Sequence, residues 1–406
     1  MDPILWDWLS FAVRWLHVIT GIAWIGSSFY FIALDLGLAK RPGLPQGVGG
    51  EAWQVHGGGF YHMQKYTIAP ASMPEELTWF KWESYSTWLS GFALMAIIYY
   101  AGAELFLIDR HLLDIPVWGA VAISLVCLAA GWIVYDLACR SPLAKNDLAL
   151  TGVLFVFFVA MGYAFTHLFS GRGAYLHSGA IMATAMTANV FFVIIPNQKK
   201  VVADLIAGRT PDPKLGAEAK QRSTHNNYLT LPVIFLMLSN HYPLAFATRF
   251  NWLIVALVLV MGVLIRHFFN SMHAGKGRPW WTFAVSAICF AGIVWLSTFP
   301  PLDTAEDSVM APQVQQMVAL ASFAPARDTV LARCSMCHAA EPLWEGIGTA
   351  PKGVMLESEA DIARHAAEIY RQAGISHAMP PGNITEITAE ERAQLVAWFR
   401  EGAAAR

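Results

Sequence analysis

The feature that most constrains this chain is the recurrence of apolar stretches about twenty residues long, the length that an α-helix needs to cross a bilayer core. Eight such spans are predicted, near residues 8–38, 82–104, 116–138, 148–169, 175–195, 225–242, 250–268 and 280–299. With 56% hydrophobic and only 14% charged residues, the composition is typical of a membrane protein and excludes an ordinary soluble enzyme. We therefore expect an all-α fold in which residues 1–299 form a polytopic transmembrane helical bundle.

The basic residues of the connecting loops predict the orientation of this bundle. If the N-terminus lies outside, the cytoplasmic loops carry fifteen Lys and Arg residues and the outer loops carry three. Because positive residues favour the cytoplasmic side, both termini are expected outside. The N-terminal MDPILWDWLS has no basic stretch of the kind that opens a cleaved signal peptide, so the first helix is expected to remain as an anchor. The formal charge of -2 gives no indication of nucleic-acid binding, and no nucleic-acid partner is predicted.

The segment RCSMCHAAEP contains the C-x-x-C-H pattern by which c-type haem is attached. In this pattern two thiols, here Cys334 and Cys337, bond to the porphyrin, and the adjoining His338 becomes an iron ligand. A redox C-x-x-C or half of a zinc site is the alternative, but neither a second cysteine pair nor a βαβ pattern accompanies this one. The later segment ISHAMPPGN offers Met379 as the second iron ligand, with His377 as its competitor.

The composition of the chain changes from apolar to mixed apolar and charged before the C-x-x-C-H motif. Residues 300–312 are predicted to be a linker and residues 313–406 a separate monohaem domain. Its end, TAEERAQLVAWFREG, places Thr388 three residues before Glu391, the spacing of a capping box at the start of a helix. One C-x-x-C-H, a later Met-Pro and a closing helix resemble a class I cytochrome c. Since bacteria attach haem covalently outside the cytoplasmic membrane, this agrees with the orientation deduced above and predicts a multi-pass protein of the bacterial inner membrane with a periplasmic haem domain.

Ionisable side chains inside a bilayer are costly, so they indicate candidate sites in the membrane part. The first span places Arg14 and His17 on one helical face. For His17, a hydrogen-bonded core histidine, a haem ligand and a proton carrier all stay open. The other histidines divide between the two membrane faces, which suggests pockets for b-type haem in addition to haem c, although no sequence spacing identifies such a site. The candidate membrane haem ligands or proton carriers are His17, His167, His177, His241 and His267.

The loop after the first span is about forty residues long and contains EAWQVHGGGFYHMQKY, which is too aromatic for a disordered linker. A substrate-facing role and packing on the membrane surface are both open. Polar residues near the same face add amide and imidazole groups of the kind that a planar heterocycle requires; an ordinary helix boundary is their alternative explanation. The candidate substrate or catalytic residues are Arg14, His56, His62, Glu83, His225, Asn226 and Asn227.

Along its whole length the chain resembles the bacterial membrane-bound urate hydroxylases, also called membrane urate oxidases. The likeness runs through RWLHVITGIAWIGSSFYF, HGGGFYHMQKY, KWESYSTWLSGFAL and CSMCH. It implies eight spans and a fused C-terminal cytochrome c, with Cys334, Cys337 and His338 as the haem site and Met379 as distal ligand. It also implies conversion of urate to 5-hydroxyisourate in purine degradation.

If the fused haem accepts the electrons, the added oxygen should come from water, and a soluble cytochrome c or a terminal oxidase should be the next acceptor. Urate bound at the cytoplasmic face would need an intermediate carrier across a core roughly 30 Å thick, whereas urate bound near Arg14 and His17 would not. A quinol-oxidising respiratory membrane cytochrome is the alternative enzyme, and a bundle that merely anchors an electron-carrier domain is the non-enzymatic one.

Overall fold

The computed structural model describes residues 3–70, 73–110, 112–299, 312–347 and 350–404. About 70% of the chain is helical, in agreement with the predicted all-α class, and the two described strands pair as one hairpin. The N-terminal part comprises α1 (Pro3–Gly37), β1 (Val48–His56), β2 (Gly59–Tyr66), α2 (Trp82–Met95), α3 (Ala103–Phe106), α4 (Val117–Arg140), α5 (Asp147–Leu168), α6 (Gly171–Ala188), α7 (Ile195–Ile206), α8 (Pro213–Leu238), α9 (Asn251–His273) and α10 (Trp281–Leu296). The C-terminal part comprises α11 (Pro312–Val318), α12 (Phe323–Arg333), α13 (Glu359–Arg364), α14 (Ala366–Ile369) and α15 (Ala389–Ala404).

Five helical segments among the described residues are long and apolar enough to cross a membrane. They are Ile4–Gly37, Val117–Arg140, Asp147–Leu168, Gly171–Ile206 and Asn251–His273. Each overlaps a predicted span. Helices α2, α8 and α10 occupy the places of the other three, but α2 and α10 have only 14 and 16 residues, and the first half of α8 is polar. The long apolar helices are compatible with a membrane protein, and the number of eight spans stays a prediction.

Helix α6 lies at the centre of the bundle because its side chains are small. Its sequence, GRGAYLHSGAIMATAMTA, is mostly Gly, Ala, Ser and Thr, and it packs against α4, α5 and α8. Small side chains let helices approach closely where van der Waals packing drives their association. On α4, a Cβ added at Gly131 would lie 2.3 Å from Ile181 of α6, so this close approach requires glycine.

Two π-helical segments extend the regular helices of the bundle. Ala96–Tyr100 continues α2, and Asn189–Ile194 joins α6 to α7 in one helical run. A π turn holds more residues than an α turn and is found frequently at functional sites. The second segment begins with Asn189, which is fully buried, so the change of helix geometry coincides with a polar side chain inside the bundle.

Helix α8 begins at Pro213, well before the predicted start near residue 225. The Asp212 carboxylate accepts a hydrogen bond from the backbone N–H of Lys214 (2.9 Å) and caps the helix there. Further along, Pro232 fits against Gly262 of α9, where an added Cβ would lie 2.5 Å from the proline ring. Because α8 starts so early, the polar residues near 225 lie in its middle and not at a helix boundary.

The aromatic loop after α1 folds into an antiparallel hairpin with Gly57 and Gly58 at its tip, both at positive φ. Inside the hairpin, His62 donates to the buried Glu51 carboxylate (2.6 Å) and stacks on Trp53, with ring centroids 4.1 Å apart. The tip itself is exposed, with Phe60 at 79%. The loop therefore forms regular structure, to which the Trp53–His62 stack contributes.

The C-terminal part has its own hydrophobic core, centred on Trp398 of α15. The indole contacts Phe323 of α12 (ring centroids 5.5 Å apart) and donates to the Met317 carbonyl (3.0 Å). The capping box at the start of α15 is present: Glu391 N–H donates to Thr388 Oγ1 (3.2 Å), and Thr388 N–H donates to the Glu391 carboxylate (2.7 Å). Most of the predicted linker, residues 300–311, lies outside the described residues.

The two parts of the chain touch at the end of the bundle where α1 and α6 begin. Arg371 pairs with Asp7 of α1 (2.8 Å). Arg172, near the start of α6, donates to the Lys352 carbonyl (2.7 Å). The haem-motif part is therefore held against the bundle by contacts on two separate helices.

Candidate functional site

The C-x-x-C-H motif forms a tight turn directly after α12. The helix ends at Arg333, and the backbone N–H groups of Cys337 and His338 both donate to the Cys334 carbonyl (3.1 and 3.0 Å). This turn brings the two cysteines and the histidine together on one short loop. Burial raises the pKa of the Cys334 thiol to about 12 and also raises that of Cys337. Both cysteines are therefore neutral thiols at neutral pH, the form that carries the hydrogen needed to add across a vinyl group.

The hydrogen bond made by the His338 ring suits an iron ligand. Its Nδ1 lies 2.9 Å from the Val354 carbonyl, which can only accept, so Nδ1 carries the proton and Nε2 keeps its lone pair. Metal-bound histidines commonly donate their other N–H to a backbone carbonyl in this way. The three residues of the motif therefore fit the covalent attachment of haem c.

Met379 lies on a loop that α15 holds in place. Its carbonyl accepts from the buried Arg392 guanidinium (3.0 Å), which also donates to Asn383 Oδ1 (3.0 Å), and its N–H donates to the Gln372 carbonyl (2.9 Å). The Met379 side chain is 36% exposed, so its thioether is available to a ligand. His377, two residues earlier, adopts a positive φ of 54. The choice of Met379 as second iron ligand stays a prediction.

A polar network inside the membrane part joins α4, α8 and the start of the second π segment. We call it the Arg222 network; its members are Tyr135, Asp136, Asn189, Arg222, His225 and Asn226. Arg222 pairs with Asp136 (2.7 Å) and donates to Asn189 Oδ1 (3.2 Å). The Asn189 amide donates to Tyr135 (2.9 Å) and to Asn226 Oδ1 (2.9 Å), and the Tyr135 hydroxyl bonds His225 Nδ1 (2.8 Å). The arginine charge of this network is neutralised by its own carboxylate.

A second polar group, the Arg266 cluster, joins α1, α8 and α9 and consists of Phe29, Asn227, Arg266 and Asn270. Arg266 donates from Nε to Asn227 Oδ1 (3.2 Å) and from Nη2 to Asn270 Oδ1 (3.1 Å). Asn270 Nδ2 also donates to Asn227 Oδ1 (2.9 Å). The guanidinium lies 3.8 Å from the centre of the Phe29 ring. Both Arg266 and Asn227 are buried.

The structure separates Asn226 from Asn227, which the sequence had placed in one candidate site. Consecutive residues of an α-helix point about 100° apart, since the helix has 3.6 residues per turn. Asn226 consequently faces the Arg222 network together with His225, whereas Asn227 faces Arg266. Neither asparagine marks a helix boundary, because both are buried in the middle of α8.

The five candidate membrane histidines are dispersed, and no hydrogen bond or ring contact among the described residues links any two of them. His177 is fully buried, with Nδ1 donating to the Gly173 carbonyl (2.7 Å) and Nε2 bonded to Ser124 (2.6 Å). His17 is half-buried, and its Nδ1 bonds the Thr87 carbonyl (3.0 Å). The other three, His167, His241 and His267, are exposed. The b-type haem stays a prediction, because two axial histidines bind opposite faces of a haem and do not contact each other.

The remaining predicted site residues also lie apart. Arg14 is exposed on α1, Glu83 is half-buried at the start of α2, and His56 is exposed at the end of β1. His62 is engaged by Glu51 inside the hairpin. None of these four belongs to the Arg222 network or to the Arg266 cluster.

Sequence reasoning missed most members of both groups as site residues: Tyr135, Asp136, Asn189 and Arg222 of the Arg222 network, and Phe29, Arg266 and Asn270 of the Arg266 cluster. Arg222 and Arg266 are two of the fifteen Lys and Arg residues counted above for the cytoplasmic loops, but both lie buried within helices. The available signal was local: Arg266 is a single arginine in the apolar run VMGVLIRHFF. Such an isolated charge is costly inside a bilayer and usually functional.

Comparison with known proteins gives one family. The model of the family described as urate oxidase N-terminal matches residues 3–297, which include both buried polar groups. No curated protein and no solved structure matches the chain. The match covers more than half of the chain, so the protein is related to urate oxidases and belongs to the urate oxidase N-terminal family.

Proposed function

We propose that this protein is a membrane-bound oxidoreductase that converts urate to 5-hydroxyisourate and passes the electrons to its own haem c domain, as a step of purine degradation. The observation that carries the proposal is the family match over residues 3–297, continued in the same chain by a haem-attachment motif. The family match indicates the substrate, and the haem-attachment motif indicates the electron acceptor.

The reaction balances without dioxygen. Urate and one water give 5-hydroxyisourate, two protons and two electrons. When bound, haem c accepts one electron at a time, so each urate requires two successive reductions. The protein has to hold the urate anion with cationic or amide donors and has to provide a base for the released protons. Downstream, a soluble cytochrome c or a terminal oxidase would reoxidise the domain.

Contacts between the two parts support intramolecular transfer. Lys352, whose carbonyl accepts from Arg172 of the bundle, is two residues from Val354, the hydrogen-bond acceptor of His338. The loop that orients the haem-ligand candidate is therefore also a loop that touches the bundle. This short connection supports passage of electrons from the bundle to the haem domain of the same chain.

The proposed location is the bacterial inner membrane, with eight spans, surrounding lipid and both termini in the periplasm. The five membrane-length helices support the membrane assignment. The basic loops support the orientation, even when the two buried arginines are left out of the count. The proposal needs one haem c per chain as the electron acceptor. A pyridine haemochrome assay should give one c-type haem per chain, and the same assay shows whether the membrane part also holds a b-type haem; a chain without c-type haem would contradict the proposal.

The decisive experiment is an anaerobic visible spectrum of the purified, oxidised protein during titration with urate. Reduced c-type bands should grow in proportion to urate, reaching two reduced haems per urate consumed. A variant with Cys334→Ser and Cys337→Ser is the matched control, because it removes the attachment bonds and leaves the membrane part unchanged. If urate leaves the wild-type spectrum unchanged while a quinol reduces it, the urate assignment is wrong and the protein is a respiratory quinol-oxidising cytochrome.

A further inference from the structure

The two buried arginines of the bundle differ in how their charge is balanced. Arg222, 3% exposed, has a carboxylate partner in Asp136. Arg266, 5% exposed, forms no ion pair with any carboxylate of the described residues, and it donates hydrogen bonds to the amide oxygens of Asn227 and Asn270. An isolated buried charge is strongly unfavourable unless an opposite charge accompanies it. The Arg266 cluster therefore lacks the anion that the Arg222 network contains.

The Arg266 cluster also has an excess of hydrogen-bond donors. Asn227 Oδ1 accepts from both Arg266 and Asn270, whereas Asn227 Nδ2 has no hydrogen-bond partner although the residue is 0% exposed. A buried amide N–H left without an acceptor destabilises the folded protein. A guanidinium adds several more N–H donors and accepts none. A ligand that completes the cluster is consequently negatively charged and rich in hydrogen-bond acceptors.

The surroundings suit a planar molecule in particular. The Arg266 Cζ atom lies over the Phe29 ring, 3.8 Å from its centre, so a flat aromatic group borders the guanidinium. Asn270 and His273 follow Arg266 at helical spacing on α9, and His273 Nδ1 is a second buried polar atom without a partner. These groups form a polar stripe that leads from Arg266 to the C-terminal end of α9.

We propose that the Arg266 cluster binds urate as its anion, with Arg266 and the free Asn227 amide donating to the urate oxygens and Asn270 positioning both. This inference rests on the proposed function for the identity of the ligand. Urate is planar, anionic and bordered by carbonyl oxygens, which matches the charge and the donors that the cluster leaves unsatisfied. Arg266 lies about 22 Å along α9 from Asn251 at 1.5 Å per residue, so the site lies towards the end of the bundle opposite the haem domain, and its electrons need an intermediate redox carrier such as a b-type haem.

The test is equilibrium dialysis of radiolabelled urate against the full-length protein, kept anaerobic and fully reduced so that no turnover takes place. Asn227→Asp is the principal variant, because it gives Arg266 an internal carboxylate of nearly the same shape, as Asp136 does for Arg222. We expect it to fold and to bind urate about tenfold to a hundredfold more weakly, the range set by losing charge-assisted hydrogen bonds. Arg266→Gln should show the same loss, and Arg266→Lys a smaller one.

Arg249→Gln is the matched control, since Arg249 also lies over phenylalanine rings, at 5.0 Å from Phe250, but outside the cluster. It should bind urate like the wild type. Fully N-methylated, uncharged urate should fail to compete for the site. If Asn227→Asp and Arg266→Gln bind urate with wild-type affinity, the assignment of the site is wrong while the urate oxidase function stands. If the wild type neither binds urate nor is reduced by it, the proposed function fails as well.

Discussion

Replacing Asp136 by Asn tests how much the Arg222 network stabilises the bundle. The variant leaves the Arg222 guanidinium buried with only amide and carbonyl partners. At 2.7 Å and an effective dielectric constant of about 20, the lost Coulomb attraction is about 6 kcal/mol. Buried ion pairs broken on one side typically cost about 3–5 kcal/mol, because local rearrangement recovers part of this energy. We expect a loss of unfolding free energy in that range.

Arg140 supplies the internal comparison. It pairs with the same Asp136 carboxylate at 2.6 Å, but its side chain is 63% exposed. Arg140→Gln should cost less than about 1 kcal/mol. The double variant Asp136→Asn with Arg222→Gln should recover much of the loss, since no charge is then left buried. The assay is unfolding by sodium dodecyl sulfate in mixed micelles, followed by circular dichroism. Equal midpoints for Asp136→Asn and Arg140→Gln would refute the role assigned to burial.

The C-terminal part of the chain gives three further predictions. Thr388→Ala removes half of the capping box with Glu391 and should lower the unfolding free energy of the domain by about 1 kcal/mol, measured by thermal unfolding; an unchanged midpoint would contradict the role of the cap. Burial lowers the pKa of His365 in the folded protein below its ordinary 6.5, so the unfolded chain binds the proton first as the pH falls. The free energy of unfolding therefore decreases as the pH drops below 6.5 towards the pKa of the folded state. In melting curves recorded over a series of pH values, His365→Gln should reduce this loss of stability at acidic pH. Met379→Ala should leave haem covalently attached but lower its reduction potential in a potentiometric titration, because a thioether ligand raises it. An unchanged potential in Met379→Ala together with a changed potential in His377→Ala would assign the ligand to His377.

The apolar runs located the helices well because a membrane-length helix is a property of consecutive residues. The boundaries were less predictable. Helix α8 begins at Pro213 because Asp212 caps it, and an aspartate before a proline was the available signal. The π segments 96–100 and 189–194 leave no comparable signal, since their composition does not differ from that of the α-helices around them.

The candidate sites also differ in how well the sequence predicts them. Cys334, Cys337 and His338 form one turn, so their spacing alone predicts the chemistry. The Arg266 cluster is assembled from α1, α8 and α9, and which faces of these helices meet depends on packing between distant parts of the chain. The amide side chains of Asn226 and Asn227 indicated polar surroundings, but only the rotation of the helix shows that the two residues contact different polar groups.

The π segment Asn189–Ile194 determines how the chain responds to a change of length at this point. Because a π turn holds one residue more than an α turn, deleting one residue within the segment would give an uninterrupted α-helix whose later side chains keep their present directions. Deleting one residue from the regular turns of α6 would instead turn every later residue by about 100°. Asn197, which donates to the Leu215 carbonyl and to Glu218, would lose its partners on α8 only in the second case. The segment therefore absorbs a deletion that a regular helix would pass on to the contact between α7 and α8.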